Sequence, residues 1–420
     1  MLPTRKHITL AFAALCLSAC EPGGKHNHNH NHDHDDTHNH KKTENHTKAD
    51  SVDESKIAQE KSQNISSSND DQSSIDSIIT LFDEESFVSE PKIVDCTLSG
   101  GTKTNCISIT LKPQPGTMKI GPWCPRNISD SAEKSGIWLE NGKVHDVDGA
   151  FISNLAEFYK DDIWQMFNEE TGKVNVTDSK VSCAAAARPD VDEQYTNFCV
   201  ECQVSYMDDH ASTTYVIPIK PTNASSPSSN TRSGIGVAFS GARIDSSAPT
   251  HAILAAHTLA PFDDCGGHVN LHVGYHLHAI TDSTNCLKDV SYEPNHAPAI
   301  GVAMDGYSIH RQSAENSDKL DSCGGHDSAS LGYHYHAAEP GLNKILACHT
   351  GETGCSSSDS DSECDASAQT DRRGGPPPNQ SNSDKQSTET IVKDETNTKH
   401  PQERPSGNRP PPPNGKGPRR

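Results

Sequence analysis

Two segments of the chain repeat one arrangement of cysteine, glycine, tyrosine and histidine. Each reads Cys-Gly-Gly-His, five further residues, and then Gly-Tyr-His-x-His, over 265–278 and again over 323–336. An aspartate stands two positions before each cysteine, at Asp263 and Asp321. Imidazoles serve as transition-metal ligands, as general acids and bases, and as buried hydrogen-bonding groups. The repeat therefore predicts a function that depends on one of these three histidine chemistries.

The two His-x-His triplets predict a metal site if they lie on strands. Side chains two residues apart on a strand point to the same face, about 6–7 Å apart along the chain. The histidine after each Gly-Gly pair can supply a third ligand, because glycine lets the backbone fold back closely. Three neutral imidazoles with an open position suit zinc or copper, and suit calcium or magnesium poorly. The predicted ligands are His268, His276, His278, His326, His334 and His336.

Neighbouring residues suggest supporting roles and leave alternatives open. Asp263 and Asp321 are predicted to ligate the ion or to orient a histidine from behind it. Tyr333 and Tyr335 alternate with the histidines and should face the core. The same histidines could instead be structural, or could act in general acid–base catalysis with Asp or Tyr. The chain has no Gly-x-Ser-x-Gly, His-Glu-x-x-His or phosphate-loop motif, so no catalytic residue or substrate is predicted.

The N-terminus predicts export and lipid anchoring. A basic start precedes an apolar run over 8–17 that is too short for a permanent membrane span. The tetrapeptide Leu-Ser-Ala-Cys that follows, ending at Cys20, resembles the lipobox of bacterial lipoproteins. The resemblance implies that residues 1–19 are a signal peptide and that Cys20 carries lipid, and Glu21 favours the outer membrane. We therefore expect a cell-envelope protein facing either the periplasm or the surface.

The segment after Cys20 predicts a second, looser metal site. Alternating histidines on a flexible chain can capture zinc or copper, although such a tract can also be a solvated spacer. The histidines concerned are His26, His28, His30, His32 and His34. Residues 20–80 and 356–420 hold too few apolar side chains to offset chain entropy, so both are predicted to be disordered. The folded domain is then 81–355.

Cysteine usage agrees with an oxidising compartment. Of 14 cysteines, Cys16 leaves with the signal and Cys20 is lipidated, which leaves an even number for disulfides. Spacing suggests one hairpin staple and one bridge closing each repeat, namely Cys96–Cys106, Cys265–Cys286 and Cys323–Cys348. The Cys-x-x-Cys at 199–202 also has the spacing of a redox pair or of half a zinc knuckle.

The remaining patterns predict a mainly β fold with minor helix. Strands are expected at 106–111 and 214–220, and one or two helices within 151–167. Gly-Val-Ala-Phe-Ser-Gly at 236–241 matches Gly-Val-Ala-Met-Asp-Gly at 301–306, which predicts pseudo-symmetric repeats at about 234–286 and 299–348, packed face to face. The net charge of −21 argues against nucleic acid as a partner and favours cations.

At these residues the chain resembles the bacterial YHYH family, named for the Tyr-His-Tyr-His found here at 333–336. The resemblance spans about 230–355 closely and extends back over 138–202. In the first copy Leu277 replaces the second tyrosine. The resemblance carries no known activity. The sequence therefore predicts a lipid-anchored protein that binds zinc or copper. The alternative hypotheses are an envelope hydrolase or oxidoreductase, and a structural or adhesive surface module.

Overall fold

The computed structural model describes residues 76–188, 190–229, 233–283, 285–313, 319–358 and 363–368. The predicted signal peptide, the lipidation site Cys20, the leader histidines and most of the predicted C-terminal tail lie outside these residues. Ordered structure continues past the expected boundary at 355, because a strand and a disulfide follow it. The class is the expected one: a mainly β domain with few helices, closed by disulfides.

Most of the described chain is organised by short strands. In chain order they are β1 (Lys92–Thr97), β2 (Lys103–Leu111), β3 (Ile137–Glu140), β4 (Lys143–Asp146), β5 (Thr213–Pro218), β6 (Asn223–Ser228), β7 (Gly236–Ala238), β8 (Arg243–Ile244), β9 (Gly267–Asn270), β10 (Gly274–Leu277), β11 (Ala299–Ala303), β12 (Ser308–His310), β13 (Gly325–Ser328), β14 (Gly332–His336), β15 (His349–Gly351) and β16 (Cys355–Ser357). Both predicted strands are present, as β2 and β5.

The helices are short. They are α1 (Gly149–Ser153), α2 (Leu155–Tyr159), α3 (Lys180–Ala186) and α4 (Thr250–Ala255). Asp148 begins α1 by accepting a hydrogen bond from the Phe151 amide at 2.8 Å. The one or two helices predicted within 151–167 are present as α1 and α2, and Lys160 ends α2 in the left-handed conformation, with φ of 53°. None of the helices among the described residues has the length and apolarity needed to cross a membrane.

An eight-stranded sheet carries both histidine repeats. Its order is β13-β14-β12-β11-β7-β8-β10-β9, so each half repeats the strand sequence of the other outward from the centre. The central strands β7 and β11 pair antiparallel, with Val237 opposite Val302. These valines hold equivalent positions in the two Gly-Val-Ala segments, so a pseudo-twofold axis passes between them. The repeats are therefore joined edge to edge and are not packed face to face as expected, because pairing satisfies backbone groups that each central strand would otherwise expose.

Successive side chains along these strands face opposite sides of the sheet, so the core residues lie on one face and the histidines on the other. Tyr275, Leu277 and Tyr335 face one side of the sheet and belong to a buried apolar cluster. His276 lies opposite Arg243, which lies opposite Val237, so the histidines share the other face with the central valines. That face is covered at its centre by the sheet β1-β2-β5-β16. The two histidine sets consequently lie towards opposite edges of one sheet.

Disulfides connect these layers. Within the described residues they are Cys96–Cys106, Cys124–Cys199, Cys183–Cys202, Cys265–Cys286, Cys323–Cys348 and Cys355–Cys364. The three pairings suggested by spacing are among them. The Cys-x-x-Cys segment is neither a redox pair nor half a zinc knuckle, because its two cysteines belong to different disulfides.

Candidate metal centres

Each Cys-Gly-Gly-His segment forms a tight turn in which neither glycine can easily be replaced by a residue with a side chain. Gly266 has φ of +90° and Gly324 has φ of +94°, a region that disfavours other residues. A Cβ on Gly267 would lie 2.4 Å from the Tyr275 hydroxyl, and one on Gly325 would lie 2.2 Å from that of Tyr333. The first glycine thus makes the turn, and the second lets the tyrosine of the neighbouring strand pass. The turn then delivers the following histidine to the sheet.

The aspartate before each turn binds backbone and tyrosine rather than histidine. Asp263 accepts hydrogen bonds from the amides of Cys265 and Gly267, both at 3.1 Å, and from the Tyr275 hydroxyl at 2.9 Å. Asp321 likewise accepts from Tyr333 at 2.7 Å. The expectation that these carboxylates ligate an ion or contact a ring is therefore not met. Their oxygens are used to close the turn, and they position the histidine only through the backbone.

Tyr335 has a separate partner. Its ring is fully buried, as expected for the core-facing position, and its hydroxyl donates to the buried Asp305 at 2.6 Å. Tyr333 is only partly buried and packs against Tyr335, with ring centroids 5.3 Å apart. Both tyrosines therefore support the strand that carries His334 and His336 from its far side, and neither contacts a histidine ring through its hydroxyl.

Four histidines converge at one edge of the large sheet. The four-histidine cluster unites the three predicted residues of the second repeat with a fourth and consists of His296, His326, His334 and His336. The Nε2 atoms of His326 and His334 are 2.9 Å apart, those of His334 and His296 are 3.0 Å apart, and those of His336 and His326 are 3.2 Å apart. Tetrahedral Zn–N bonds of about 2.05 Å would place nitrogen atoms about 3.3 Å apart. The cluster has nearly that spacing.

The opposite ring nitrogens indicate the tautomers of three histidines in this cluster, His296, His334 and His336. Nδ1 lies 2.9 Å from the Ala297 carbonyl in His296, 2.9 Å from that of Gly332 in His334, and 2.8 Å from that of Arg311 in His336. A carbonyl only accepts, so each Nδ1 carries the proton and each Nε2 presents a lone pair. The facing Nε2 atoms of His296 and His334 therefore have no hydrogen between them in the neutral state. A cation bound between them would remove this repulsion.

His296 was not predicted because it lies outside the repeated motif. It sits in the loop before β11, between two prolines at 294 and 298. His310, also unpredicted, stands at the end of β12 with its ring centroid 4.7 Å from that of His334. Its Nδ1 donates to the Ala297 carbonyl at 2.7 Å. That carbonyl thus links the His296 loop to the strand, and the only sequence signal was a histidine beside prolines.

The three predicted histidines of the first repeat also meet. The three-histidine cluster consists of His268, His276 and His278, whose ligand atoms lie within 4.8 Å of one another. Nδ1 of His276 donates to the Gly274 carbonyl at 3.0 Å, and Nδ1 of His278 donates to the Ser246 carbonyl. As in the other cluster, Nε2 is left free to ligate. Metal-binding histidines commonly have such a second hydrogen bond.

A cavity adjoins the three-histidine cluster in the described part of the chain. Its volume is about 250 Å³, and all members of the three-histidine cluster line it. Its other walls are mainly apolar, including Trp123, Val200 and Ile253. The three-histidine cluster thus has room beside it for an additional ligand, whereas the four-histidine cluster has a fourth histidine.

Burial lowers the pKa of most of the clustered histidines and so keeps them neutral. Removal from water lowers the pKa of His268 to about 3 and that of His336 to about 4. The pKa of His276 is also lowered well below its ordinary value, first by burial and then by the neighbouring histidines. Neutral imidazole is the form that binds metal. The clusters are consequently ready to ligate at neutral pH.

The buried aspartate of the first turn gives a prediction on pH and stability. Burial raises the pKa of Asp263 from 3.8 to about 6, so its contribution to stability is full below pH 3.8 and is lost as the pH rises through 6. Asp263→Asn has no such titration. Relative to the parent, its unfolding free energy should rise by about 2.4 kcal/mol between pH 4 and 7.5, measured by urea denaturation.

Asp321→Asn is the matched control for this prediction. Burial raises the pKa of Asp321, but hydrogen bonds from Gly325, Tyr333 and Cys323 outweigh it and lower the pKa below 3.8. The carboxylate is then ionised in both folded and unfolded chains above pH 4.5, so this variant should differ from the parent by a constant amount. An equal rise in both variants would contradict the assignment.

The fold and the two clusters define the class of protein: a disulfide-stapled, mainly β domain with a histidine cluster towards each edge of one sheet. Residues 214–319 match the model of the family described as YHYH protein, so the chain carries a YHYH domain. The match covers 106 of 420 residues; it includes the three-histidine cluster and His296 but ends before His326. No curated protein and no solved structure matches the chain.

Proposed function

We propose that this protein binds transition-metal ions, zinc or copper, at both histidine clusters, for capture, buffering or delivery. One observation carries the proposal. In the four-histidine cluster, His296 and His334 direct unprotonated Nε2 atoms at each other across 3.0 Å, with both Nδ1 atoms committed to carbonyls. A structural histidine would normally direct its second nitrogen at a hydroxyl or an amide.

The ligand set favours zinc or copper over hard cations. The clusters offer only imidazole nitrogen, which suits zinc, copper and nickel, whereas calcium and magnesium prefer oxygen. The acidic chain, with a net charge of −21, would raise the local concentration of cations. We propose the leader histidines as a looser collecting site, with the domain held at the outer membrane through lipid on Cys20.

Elemental analysis tests the proposal. The full chain, secreted into an oxidising compartment with its histidines between 26 and 46 changed to serine, should carry two equivalents of zinc or copper. His326→Ala/His334→Ala, which leaves only two histidines in the four-histidine cluster, should carry one equivalent fewer. His272→Ala is the matched control, because His272 is exposed in the loop between β9 and β10, outside both clusters, and it should leave the metal content unchanged.

Folding must be checked in every variant by circular dichroism. A folded parent that holds no zinc or copper after purification, and takes up neither on dialysis, would refute the proposal. In that event the histidines would be structural, and any metal binding would rest on the leader alone.

A further inference from the structure

We propose that the ion of the three-histidine cluster keeps one coordination position open to the adjoining cavity, and binds there a small organic anion with an apolar body. This inference rests on the proposed function, since it needs an ion at that cluster. The two halves of the pseudo-symmetric sheet would then have different roles. The ion of the four-histidine cluster would be coordinated by protein ligands alone, whereas the ion of the three-histidine cluster would also bind an exchangeable ligand.

The open position follows from the count of ligands and the location of space. In the described residues, no fourth histidine, cysteine or carboxylate joins His268, His276 and His278 as a candidate ligand. The cavity of about 250 Å³ lies against the same three side chains. Three protein ligands with a fourth position for water or substrate is the arrangement of catalytic zinc sites, whereas four protein ligands is that of structural sites.

The charges around the cluster favour an anion. Three neutral imidazoles leave the charge of a divalent ion uncompensated in a buried setting. Asp245, near His278, is already paired with Arg243, whose Nε lies 2.9 Å from the carboxylate. Glu201, the carboxylate in the cavity wall, is paired with Arg126 and accepts the Cys124 amide at 3.2 Å. Neither carboxylate is free to balance the ion.

The walls and the volume of the cavity indicate the polarity and the size of the part of the ligand that does not coordinate the ion. Trp123, Val200, Pro249, Ala252 and Ile253 form apolar wall surface. A volume of about 250 Å³ is slightly below the range of about 300–1,000 Å³ found for small-molecule pockets. The cavity therefore fits a ligand whose apolar part is about the size of one benzene ring. A carboxylate or similar monoanionic group of that ligand would coordinate the ion.

Cobalt substitution reports the predicted ligand directly. The full chain with the leader histidines changed to serine is loaded with Co²⁺, whose visible absorption depends on its ligands, and titrated with benzoate, acetate and benzyl alcohol. Benzoate should change the spectrum saturably and bind at least tenfold more tightly than acetate. Benzyl alcohol, which has a similar body without the charge, should leave the spectrum unchanged.

Filling the cavity without touching a ligand gives the decisive variant. Ala252→Trp places an indole in the cavity wall and should weaken benzoate at least tenfold, with cobalt content and the acetate response retained. Ala255→Trp is the matched control, because Ala255 lies on the same helix α4, is exposed, and does not line the cavity. It should leave benzoate binding unchanged.

The outcomes separate this inference from the proposed function. Cobalt content compared between the parent and His276→Ala shows whether the cluster binds metal at all. A loaded cluster with no response to benzoate, or with equal affinity for benzoate and acetate, overturns the inference and leaves metal binding intact. A folded parent that binds no cobalt at this cluster refutes the proposed function there, and the inference with it.

Discussion

Between pH 6.5 and pH 4, the metal-free protein is expected to lose several kcal/mol of unfolding free energy. Burial lowers the pKa of every histidine in the three-histidine cluster and of most in and beside the other cluster; the residues are His268, His276, His278, His310, His326, His334 and His336. Their stabilising contribution is present above an unfolded pKa of about 6.5 and is lost as the pH falls towards the folded values. Each histidine that stays neutral contributes about 1.4 kcal/mol per pH unit.

Two carboxyls act in the opposite direction, because burial raises the pKa of both Asp263 and the partly buried Asp264. Asp263, with its raised pKa of about 6, adds stability as the pH falls, but by only about 3 kcal/mol in total. The histidines with a lowered pKa outnumber these two carboxyls, so the net effect is acid destabilisation. Urea denaturation of chelator-treated protein with intact disulfides, at pH steps from 7 to 4, measures it. A constant or rising unfolding free energy over this range would contradict the burial of the clusters.

Zinc is expected to stabilise the neutral protein strongly, and His334→Ala to remove much of that gain. At free zinc 1,000 times the dissociation constant, one site adds about 4 kcal/mol to the unfolding free energy. The Nε2 atom of His334 lies next to those of both His326 and His296, so its removal should greatly weaken the four-histidine site. The measurement is the unfolding free energy with and without zinc, for the parent and for the variant.

The metal-free comparison distinguishes this prediction from simple loss of packing. His334→Ala creates a cavity that destabilises the metal-free and zinc-loaded chains alike, whereas the weakened site reduces only the zinc-dependent increment. His272→Ala again serves as control, because the exposed ring at 272 belongs to neither cluster. An increment from zinc that is equal in the parent and in His334→Ala would show that the ion binds elsewhere.

The histidine triplets were predictable because their spacing and the strand period agree. His334-Tyr335-His336 alternates ligand and core residue along β14, and the buried Tyr335 matches that pattern. The mainly β class and the YHYH domain followed from the same repeats. The metal itself, and the roles of the individual ligands, remain predictions.

Long-range contacts account for what the sequence did not predict. His296 joins its cluster through a loop fixed by the hydrogen bond between His310 and the Ala297 carbonyl, and no local period marks such a residue. The sequence predicted Asp263 and Asp321 as partners of histidine because carboxylates often accept a hydrogen bond from a metal-binding histidine. In the fold, the amides of a tight turn and one tyrosine hydroxyl occupy those oxygens. The pairing of Val237 with Val302 determines how the two repeats join, and it links segments that are far apart in the chain.

That valine pairing also bears on how such a protein arises. A chain holding one repeat would end its sheet at an unpaired strand edge and would be prone to associate with a second copy of itself. The antiparallel register is self-complementary, so two identical copies could form the same eight-stranded sheet as a homodimer. Fusion of such copies into one polypeptide would release them from identity. Arg243 and Asp245 in one half stand where Ser308 and His310 stand in the other, a divergence that a symmetric dimer could not have reached.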